Sequence, residues 1–292
     1  MDAKTGSGEN WSRVAEIFAR VADERDPLSP NGRGNKEMLD AVEAVLPLNQ
    51  ATYILDVGSG PGQVIKGVLG AEEQKPQIPK DARVVATDIA ESFVKMLKDT
   101  KQKNVDAGED IWKRVEVTQW DAKDLVEVQD DSVSHLLAGY CYVAMKDEGR
   151  GIKEALRVLK PGGCFVQSNL GDTEWGSLPD FVTQVRPEKQ PHSTSENAKG
   201  WWTTEKVKKK LVDAGFKNVQ AKEFPVSMHM NSYEEVILFV WEGFPYMKPL
   251  TEDMSAAEVA QAKDLTLKYL KERHPAEPFR LEGTGMVAWG TK

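Results

Sequence analysis

Residues 53–62 read YILDVGSGPG, an apolar run with one carboxylate and three glycines at alternate positions, and this stretch constrains the fold most. Its apolar residues are of the types that form a strand buried on both faces. Gly58, Gly60 and Gly62 allow the backbone to turn sharply and to approach a bound molecule closely. The stretch therefore predicts a buried strand that leads into a ligand-binding turn.

An alternation of strand and helix continues along the chain. Further strands are predicted at 83–88, 114–122, 132–140, 164–170, 218–226 and 280–290. Helices are predicted at 11–25, 35–46, 63–69, 91–103, 148–159, 204–214, 231–243 and 255–272, and the sequence KPGG ends the helix at 148–159. This alternation is typical of an α/β protein with a Rossmann-like, doubly wound and mostly parallel sheet.

The chain divides into a core and its elaborations. We predict an N-terminal helical cap or lid over residues 1–46 and a core over residues 47–292. Two cap insertions are predicted within that core, at about 171–202 and 227–272, where the alternation of strand and helix is interrupted.

Composition excludes several classes of function. The formal net charge of −8 disfavours nucleic acid as a partner, because an acidic protein repels a polyanion. Cys141 and Cys164 lack CxxC spacing, which argues against a disulfide framework and a structural zinc site. Neither a leader-like apolar segment nor a run of 18 apolar residues is present. We therefore expect a soluble, cytoplasmic protein without a metal or a membrane partner.

The spacing of the glycines separates two kinds of nucleotide site. A dinucleotide site usually has GxGxxG, whereas here the third glycine, Gly62, falls one position early and follows Pro61. Asp56 lies two residues before the first glycine, where it would be poorly placed beside a pyrophosphate. A carboxylate there suits a ligand that carries an ammonium group and a sulfonium cation.

Two further carboxylates follow the next predicted strands. Asp88 ends the second strand and can accept hydrogen bonds from both hydroxyls of a ribose. Asp121 ends the third strand and can accept a hydrogen bond from an adenine amino group. Ile89 and Phe93 are placed to sandwich the adenine ring.

With these motifs the sequence resembles the class I S-adenosylmethionine-dependent methyltransferases. LDVGSGPG, VVATDIAESFV, WDAKDL and EALRVLKPGGCFVQSNL occur in the family order, over roughly residues 50–170. The resemblance implies a seven-stranded sheet of order 3-2-1-4-5-7-6 and S-adenosyl-L-methionine as the cofactor. The cofactor-binding positions that it implies are Asp56, Gly58, Ser59, Gly60, Gly62, Asp88, Ile89, Phe93, Trp120, Asp121 and Ala122. The chain departs from the family at Ser134-His135, where Phe-Asp is frequent; we expect His135 to be a packed core residue.

A closer resemblance is to fungal natural-product methyltransferases, including those that methylate a thiol or a nitrogen of gliotoxin-type epidithiodiketopiperazines. It is carried by the segments after residue 200, from GWWTTEKVKKKLVDAGFKNVQ to VAWGTK. It implies methyl transfer to sulfur, nitrogen or oxygen of a small, fairly apolar metabolite, in secondary metabolism or detoxification.

Methyl transfer from a sulfonium requires alignment and exclusion of water more than acid–base catalysis. The sequence contains no HxE motif, no Ser-His-Asp set and no metal-ligand cluster, which suits this chemistry. Tyr140 and His229 are the candidate catalytic residues, His229 as a base. The candidate substrate-binding residues are Trp11, Phe18, Tyr140, Asn169, Trp175 and Trp202, and Trp201 belongs with them. Core packing explains Tyr140 equally well, and for each tryptophan and for Phe18 taken singly it is the better explanation; together the tryptophans outside the sheet favour an apolar or aromatic small substrate.

Three other functions are weighed against methyl transfer. One is a protein of the same fold that binds the cofactor without transferring its methyl group, as a cyclase or a binding protein. Another is a nicotinamide-dependent oxidoreductase, which the GxGxG spacing and the lack of a Tyr-x-x-x-Lys pair disfavour. The third, a protein or nucleic-acid methyltransferase, is opposed for nucleic acid by the acidic charge.

Overall fold

The computed structural model describes residues 17, 20, 21, 23, 25–74, 78–145, 147–191, 203–244 and 247–292. The strands are β1 (Tyr53–Val57), β2 (Arg83–Thr87), β3 (Val115–Thr118), β4 (Val133–Gly139), β5 (Leu159–Thr173), β6 (Lys217–Met230) and β7 (Phe279–Thr291). The helices are α1 (Pro30–Val45), α2 (Gln63–Gln74), α3 (Glu91–Asp106), α4 (Glu148–Val158), α5 (Glu174–Ser177), α6 (Val182–Val185), α7 (Thr204–Ala214), α8 (Tyr233–Gly243), α9 (Met247–Thr251) and α10 (Ala256–Arg273).

The strands form one seven-stranded sheet in the order β3-β2-β1-β4-β5-β7-β6, as predicted. β1 pairs in parallel with β2 on one side and with β4 on the other. The pairs β2–β3 and β4–β5 are also parallel. Every residue of β1 is buried, which confirms a strand covered on both faces.

β5 is longer than predicted. It includes Pro161, Gly162 and Gly163, which the sequence predicts as the stop after a helix. The Gly162 amide donates to the Lys292 carbonyl, and the Lys292 amide donates to the Gly163 carbonyl. Pairing with Lys292 therefore keeps this segment in the sheet, while Gly162 has a left-handed φ of +76° and the pairing of β5 with β4 shifts register here, as its turn-forming composition suggests. β3 differs in the opposite sense, because it ends at Thr118 instead of residue 122.

His135 lies in the centre of the sheet and is fully buried. Its Nδ1 atom is 2.9 Å from the Ser134 hydroxyl oxygen, and its Nε2 atom is 2.8 Å from the Leu46 carbonyl oxygen. Burial lowers the pKa of His135, so the ring is held neutral between these two partners. These contacts confirm that the residue is a hydrogen-bonded core residue.

By its internal contacts the chain divides into two units, and three of the boundaries between them fall within β5, β6 and β7. The first unit comprises Met1–Gly32, Asp172–Lys199 and Pro225–Thr284. The second comprises Arg33–Gly171, Gly200–Phe224 and Gly285–Lys292, and it holds β1 to β4 with α2, α3, α4 and α7. No helix within the described residues is both long and apolar enough to cross a membrane.

Candidate functional site

The glycine-rich turn after β1 depends on three left-handed backbone conformations. The φ angles are +63° at Gly58, +54° at Gly60 and +97° at Gly62, a region that side chains disfavour. Ser59 fixes the turn to β2, because its amide donates to the Thr87 carbonyl and its hydroxyl accepts from the Thr87 amide. The turn is therefore a rigid feature between two neighbouring strands.

Asp88 follows β2 and holds the same turn through a hydrogen bond with Gly60. One of its carboxylate oxygens accepts from the Gly60 amide at 2.9 Å, and the other accepts from the Ala90 amide at 2.9 Å. The side chain is 7% exposed. Each carboxylate oxygen can accept a second hydrogen bond, so Asp88 keeps the capacity to bind hydroxyl groups.

Asp56 is the least compensated charge among the site residues. The residue has no solvent exposure, and neither carboxylate oxygen meets a donor in hydrogen-bonding geometry. Burial raises its pKa to about 7; Ser59 and the Ile65 amide lie close enough to lower it, and Asp88 raises it further. Because a buried carboxylate without partners is unfavourable, this residue fits a cationic ligand.

Asp121 lies on the loop beyond β3 and is partly exposed. Its Oδ1 atom accepts from the Lys123 amide at 2.9 Å, and an isolated bridge joins it to Asp124. The Trp120 amide donates to the Thr87 hydroxyl at 2.9 Å, which ties this loop to the end of β2. Thr87 therefore contacts both the glycine turn and the Asp121 loop.

Apolar residues flank these carboxylates. Ile89 is 59% exposed and Phe93 is 40% exposed, which is unusual for large apolar side chains. Ala122 is buried. The Ile89 carbonyl accepts from the Gln119 side chain at 3.1 Å, so the backbone beneath Ile89 is held in place.

Cys141 lies near all three carboxylates. Its pKa is raised by burial and then by the charges of Asp56, Asp88 and Asp121. All three carboxylates therefore lie within electrostatic range of one thiol. The expectation that these three carboxylates share one cofactor site stays a prediction.

Tyr140 follows β4 with a φ of +52°, a strained value for a residue with a side chain. Its amide donates to the Ser168 carbonyl at 3.0 Å, which holds the backbone there. A side-chain carbon on Gly34 of α1 would lie 2.5 Å from the Tyr140 hydroxyl oxygen, so the two residues pack closely. Burial raises the pKa of Tyr140, so the phenol stays protonated.

The end of β5 carries three buried polar residues in succession, Gln167, Ser168 and Asn169. Both side-chain amide atoms of Gln167 lack a hydrogen-bond partner, and so does the Asn169 Oδ1 atom. Unpaired buried amides are rare in folded proteins. The sequence identifies Asn169 as a candidate but gives no signal for Gln167, because a glutamine in a strand is not in itself unusual.

The remaining candidates lie in the first unit or outside the described residues. Trp175 is buried, and its ring would be 2.9 Å from a side-chain carbon on Gly283. The Arg20 guanidinium contacts the His229 ring at Nδ1 at 3.4 Å and the His229 carbonyl at 2.5 Å. A guanidinium can only donate, so the His229 ring accepts at Nδ1 in this contact.

Four aromatic candidates, Trp11, Phe18, Trp201 and Trp202, lie outside the described residues. Within the described residues, no group of three or more His, Cys, Asp or Glu side chains could hold a metal ion.

Residues 55–167 match the family model for a methyltransferase domain. The chain is 28% identical over 285 residues to the methyltransferase ucsB of Acremonium sp, and the alignment covers 97% of this chain and 95% of that protein.

Two solved structures extend the comparison. A Bacillus halodurans C-125 protein classed as a candidate methyltransferase has a TM-score of 0.55 and 16% identity, covering 88% of this chain and 99% of that chain. The [4+2]-cyclase SpnF has a TM-score of 0.51 and 16% identity, covering 97% of this chain and 95% of that chain. At these identities the structures show a shared fold and nothing further. The domain match, the fungal relative and the sheet order agree: the protein is an S-adenosylmethionine-dependent methyltransferase with the Rossmann-like methyltransferase fold, and S-adenosylmethionine is its cofactor.

Proposed function

We propose that this enzyme transfers the methyl group of S-adenosylmethionine to a sulfur, nitrogen or oxygen atom of a small, fairly apolar metabolite. The observation that carries the proposal is Asp56, a fully buried carboxylate without a partner beside a glycine-rich turn. A buried anion of this kind is compensated when a cationic ligand binds.

The proposed cofactor contacts follow from the side-chain chemistry. Asp56 pairs with the ammonium group of the cofactor, and Asp88 accepts from the ribose hydroxyls through its unused lone pairs. Asp121 accepts from the adenine amino group. The adenine ring packs on Ile89 and Phe93, whose high exposure leaves apolar surface to be covered.

Backbone groups and small residues complete the proposed cofactor site. The glycine turn leaves room for close approach of the cofactor, and Ser59 keeps that turn attached to β2. Trp120 and Ala122 flank Asp121 on the loop beyond β3, which Thr87 holds in place.

The cofactor supplies an activated methyl group, so the protein's own task is to orient the acceptor and to exclude water. Of the two catalytic candidates, the contacts favour Tyr140, whose protonated hydroxyl group packs closely against Gly34 and whose amide donates to the Ser168 carbonyl. His229 accepts at Nδ1 from Arg20, which occupies the lone pair that a base would use. We propose that Tyr140 and Asn169 contact the acceptor and that no dedicated base acts.

The acceptor class is inferred from the aromatic residues and from the fungal relative. We propose that residues 1–46 and the insertions at 171–202 and 227–272 form a substrate cap. Its aromatic side chains would supply apolar contacts to the metabolite; those proposed are Trp11, Phe18, Trp175, Trp201 and Trp202. The match to a methyltransferase of Acremonium over 97% of this chain supports methyl transfer, and we propose that the transfer takes place in fungal secondary metabolism or detoxification.

Isothermal titration with S-adenosylhomocysteine tests the cofactor site directly. We expect binding in the micromolar range or tighter, and absence of binding at high micromolar ligand would overturn the proposed site. Transfer of isotope from methyl-labelled S-adenosylmethionine to a panel of thiols, amines and phenols then tests the acceptor class. Label found only on a carbon atom, on nucleic acid or on protein would contradict it.

The second candidate is a cyclase or binding protein that uses the cofactor without methyl transfer. The [4+2]-cyclase SpnF shares the fold of this protein over nearly the whole of both chains, so the fold is compatible with either function. The labelled methyl group separates the two functions, because a cyclase consumes its substrate while the label stays on the cofactor.

A further inference from the structure

Gly34 lies early in α1, at a position where the helix itself does not require glycine. The residue is buried, and its backbone is outside the positive-φ region that disfavours a side chain. Glycine is among the least favourable residues inside a helix, whereas alanine is the most favourable. A reason for glycine at this position must therefore come from what packs against the helix.

The group that packs against Gly34 is the Tyr140 side chain. A carbon atom added to Gly34 would lie 2.5 Å from the Tyr140 hydroxyl oxygen, 3.4 Å from Cζ and 3.7 Å from Cε2. Non-bonded heavy atoms pack best at about 3.5–4.0 Å. A side chain at position 34 therefore displaces the Tyr140 hydroxyl group from its place.

The main chain of Tyr140 is fixed on its own side of this contact. Its φ is +52°, and its amide donates to the Ser168 carbonyl at 3.0 Å. The next residue, Cys141, packs on the glycine-rich turn, where a carbon atom added to Gly58 would lie 2.8 Å from Cys141 Cβ. The end of the ring, with its hydroxyl group, is thus the part of Tyr140 that can move.

The first turns of α1 are fixed on the other side of the contact. The Asn35 side chain donates to the Gln63 carbonyl at 3.0 Å, which ties α1 to the first residue of α2, directly after the glycine-rich turn. Glu37 is buried, and its carboxylate pairs with Arg33 at 2.6 Å and with Lys222 of β6 at 2.5 Å. α1 therefore cannot recede to make room for a side chain without breaking these contacts.

We propose that Gly34 is a positioning residue for methyl transfer: because it lacks a side chain, it sets the place of the Tyr140 hydroxyl group against the acceptor. The inference rests on the proposed function, in which Tyr140 contacts the acceptor. It adds a residue of α1 that acts through Tyr140 and not by a contact of its own. Methyl transfer depends on alignment of donor and acceptor, so a displaced hydroxyl group should cost rate more than stability.

Gly34→Ala tests the inference in the full-length protein, with Gly70→Ala in α2 as the matched control, because a carbon atom added to Gly70 meets nothing within 4 Å. The probes are thiophenol, benzylamine and phenol, one small aromatic acceptor for each heteroatom, with methyl-labelled S-adenosylmethionine. We expect Gly34→Ala to lower kcat/KM for the labelled acceptor by about tenfold or more. S-adenosylhomocysteine should bind this variant with unchanged affinity, and Gly70→Ala should keep wild-type kinetics.

Removal of the hydroxyl group distinguishes positioning from a purely structural role. Tyr140→Phe should lower kcat/KM, and Gly34→Ala added to Tyr140→Phe should cause no further loss, because the group that alanine displaces is absent. A further loss as large as that of Gly34→Ala alone would show that Gly34 acts independently of Tyr140, and the inference would be overturned.

The wild type and the single variants separate the two ways to fail. If the wild type labels none of the three probes, or if Tyr140→Phe keeps wild-type kinetics, the proposed function fails in its acceptor site and the inference fails with it. If Tyr140→Phe is impaired and Gly34→Ala behaves as Gly70→Ala does, the inference alone is overturned.

Discussion

Asp56 combines complete burial with a lack of hydrogen-bond partners. Its protonation state therefore affects both the stability of the folded protein and the binding of a cationic ligand. Burial raises its pKa to about 7, whereas the carboxyl group ionises near 3.8 when the chain is unfolded. The folded protein therefore loses stability as the pH rises through about 7 and the buried group becomes charged. A residue that weakens its own fold is best explained by a ligand.

Asp56→Asn should stabilise the ligand-free protein at pH 8 by about 1–3 kcal/mol, since it removes a buried charge. The gain should shrink toward pH 4, where the carboxyl group is protonated in the folded protein. Denaturant unfolding at pH 5 and pH 8 measures both values. A variant that is less stable than the wild type at pH 8 would show that Asp56 serves the fold.

Binding of S-adenosylhomocysteine should depend on pH through the same residue. The ammonium group requires the ionised carboxylate, so affinity should fall by up to about tenfold per pH unit as the pH drops below about 7. Asp56→Asn should bind more weakly and lose this dependence. Calorimetry between pH 5.5 and 8.5 gives the profile, and an equally steep profile in the variant would exclude Asp56 as its source.

Asp88 illustrates how much one residue's role can be predicted from the sequence. Its place after the second strand was predictable from the pattern, and the structure adds that it also anchors the turn through Gly60. Asp88→Ala should weaken S-adenosylhomocysteine binding by about 1.5–3 kcal/mol, the range for hydrogen bonds to a charged group. An unchanged dissociation constant would remove Asp88 from the ribose role, and the melting temperature shows whether the turn survives.

At the scale of single elements, β5 differs most from its prediction. It is longer than predicted, and it carries buried polar residues that its sequence pattern does not indicate. Local composition predicts a break at Pro161, Gly162 and Gly163, and no local pattern reveals that Lys292 pairs with this segment. The burial of the polar residues at the end of β5 could not be predicted either, because the burial of Gln167 depends on a strand distant in sequence.

Gln167→Met tests whether the unpaired amide serves the fold. Replacing a buried, unpartnered amide by an apolar side chain of the same length should leave stability unchanged or raise it by about 1 kcal/mol. Gln102→Met on α3 is the control, since Gln102 donates to Asp106 at an exposed position. Thermal unfolding compares the variants; a loss of 2 kcal/mol or more for Gln167→Met would mean that the amide has a structural partner.

At the scale of the whole molecule, the acidic net charge and the glycine spacing predict which nucleotide ligands bind, and a ligand that binds the folded protein stabilises it. S-adenosylhomocysteine at a hundredfold excess over its dissociation constant should raise the free energy of unfolding by about 2.7 kcal/mol. NAD and NADP at the same concentration should leave the melting temperature unchanged. Stabilisation by a nicotinamide nucleotide alone would favour an oxidoreductase.

The sequence by itself determined the strand that ends in a glycine turn, the order of Asp56, Asp88 and Asp121 along the chain, and the alternation that produces the sheet. These are local patterns, and each can be interpreted from residues within a few positions. Only the tertiary structure decided that Asp56 is buried without a partner, that Cys141 lies against Gly58, and that β5 continues through glycines. Those properties arise where strands distant in sequence meet, so no single segment contains the information.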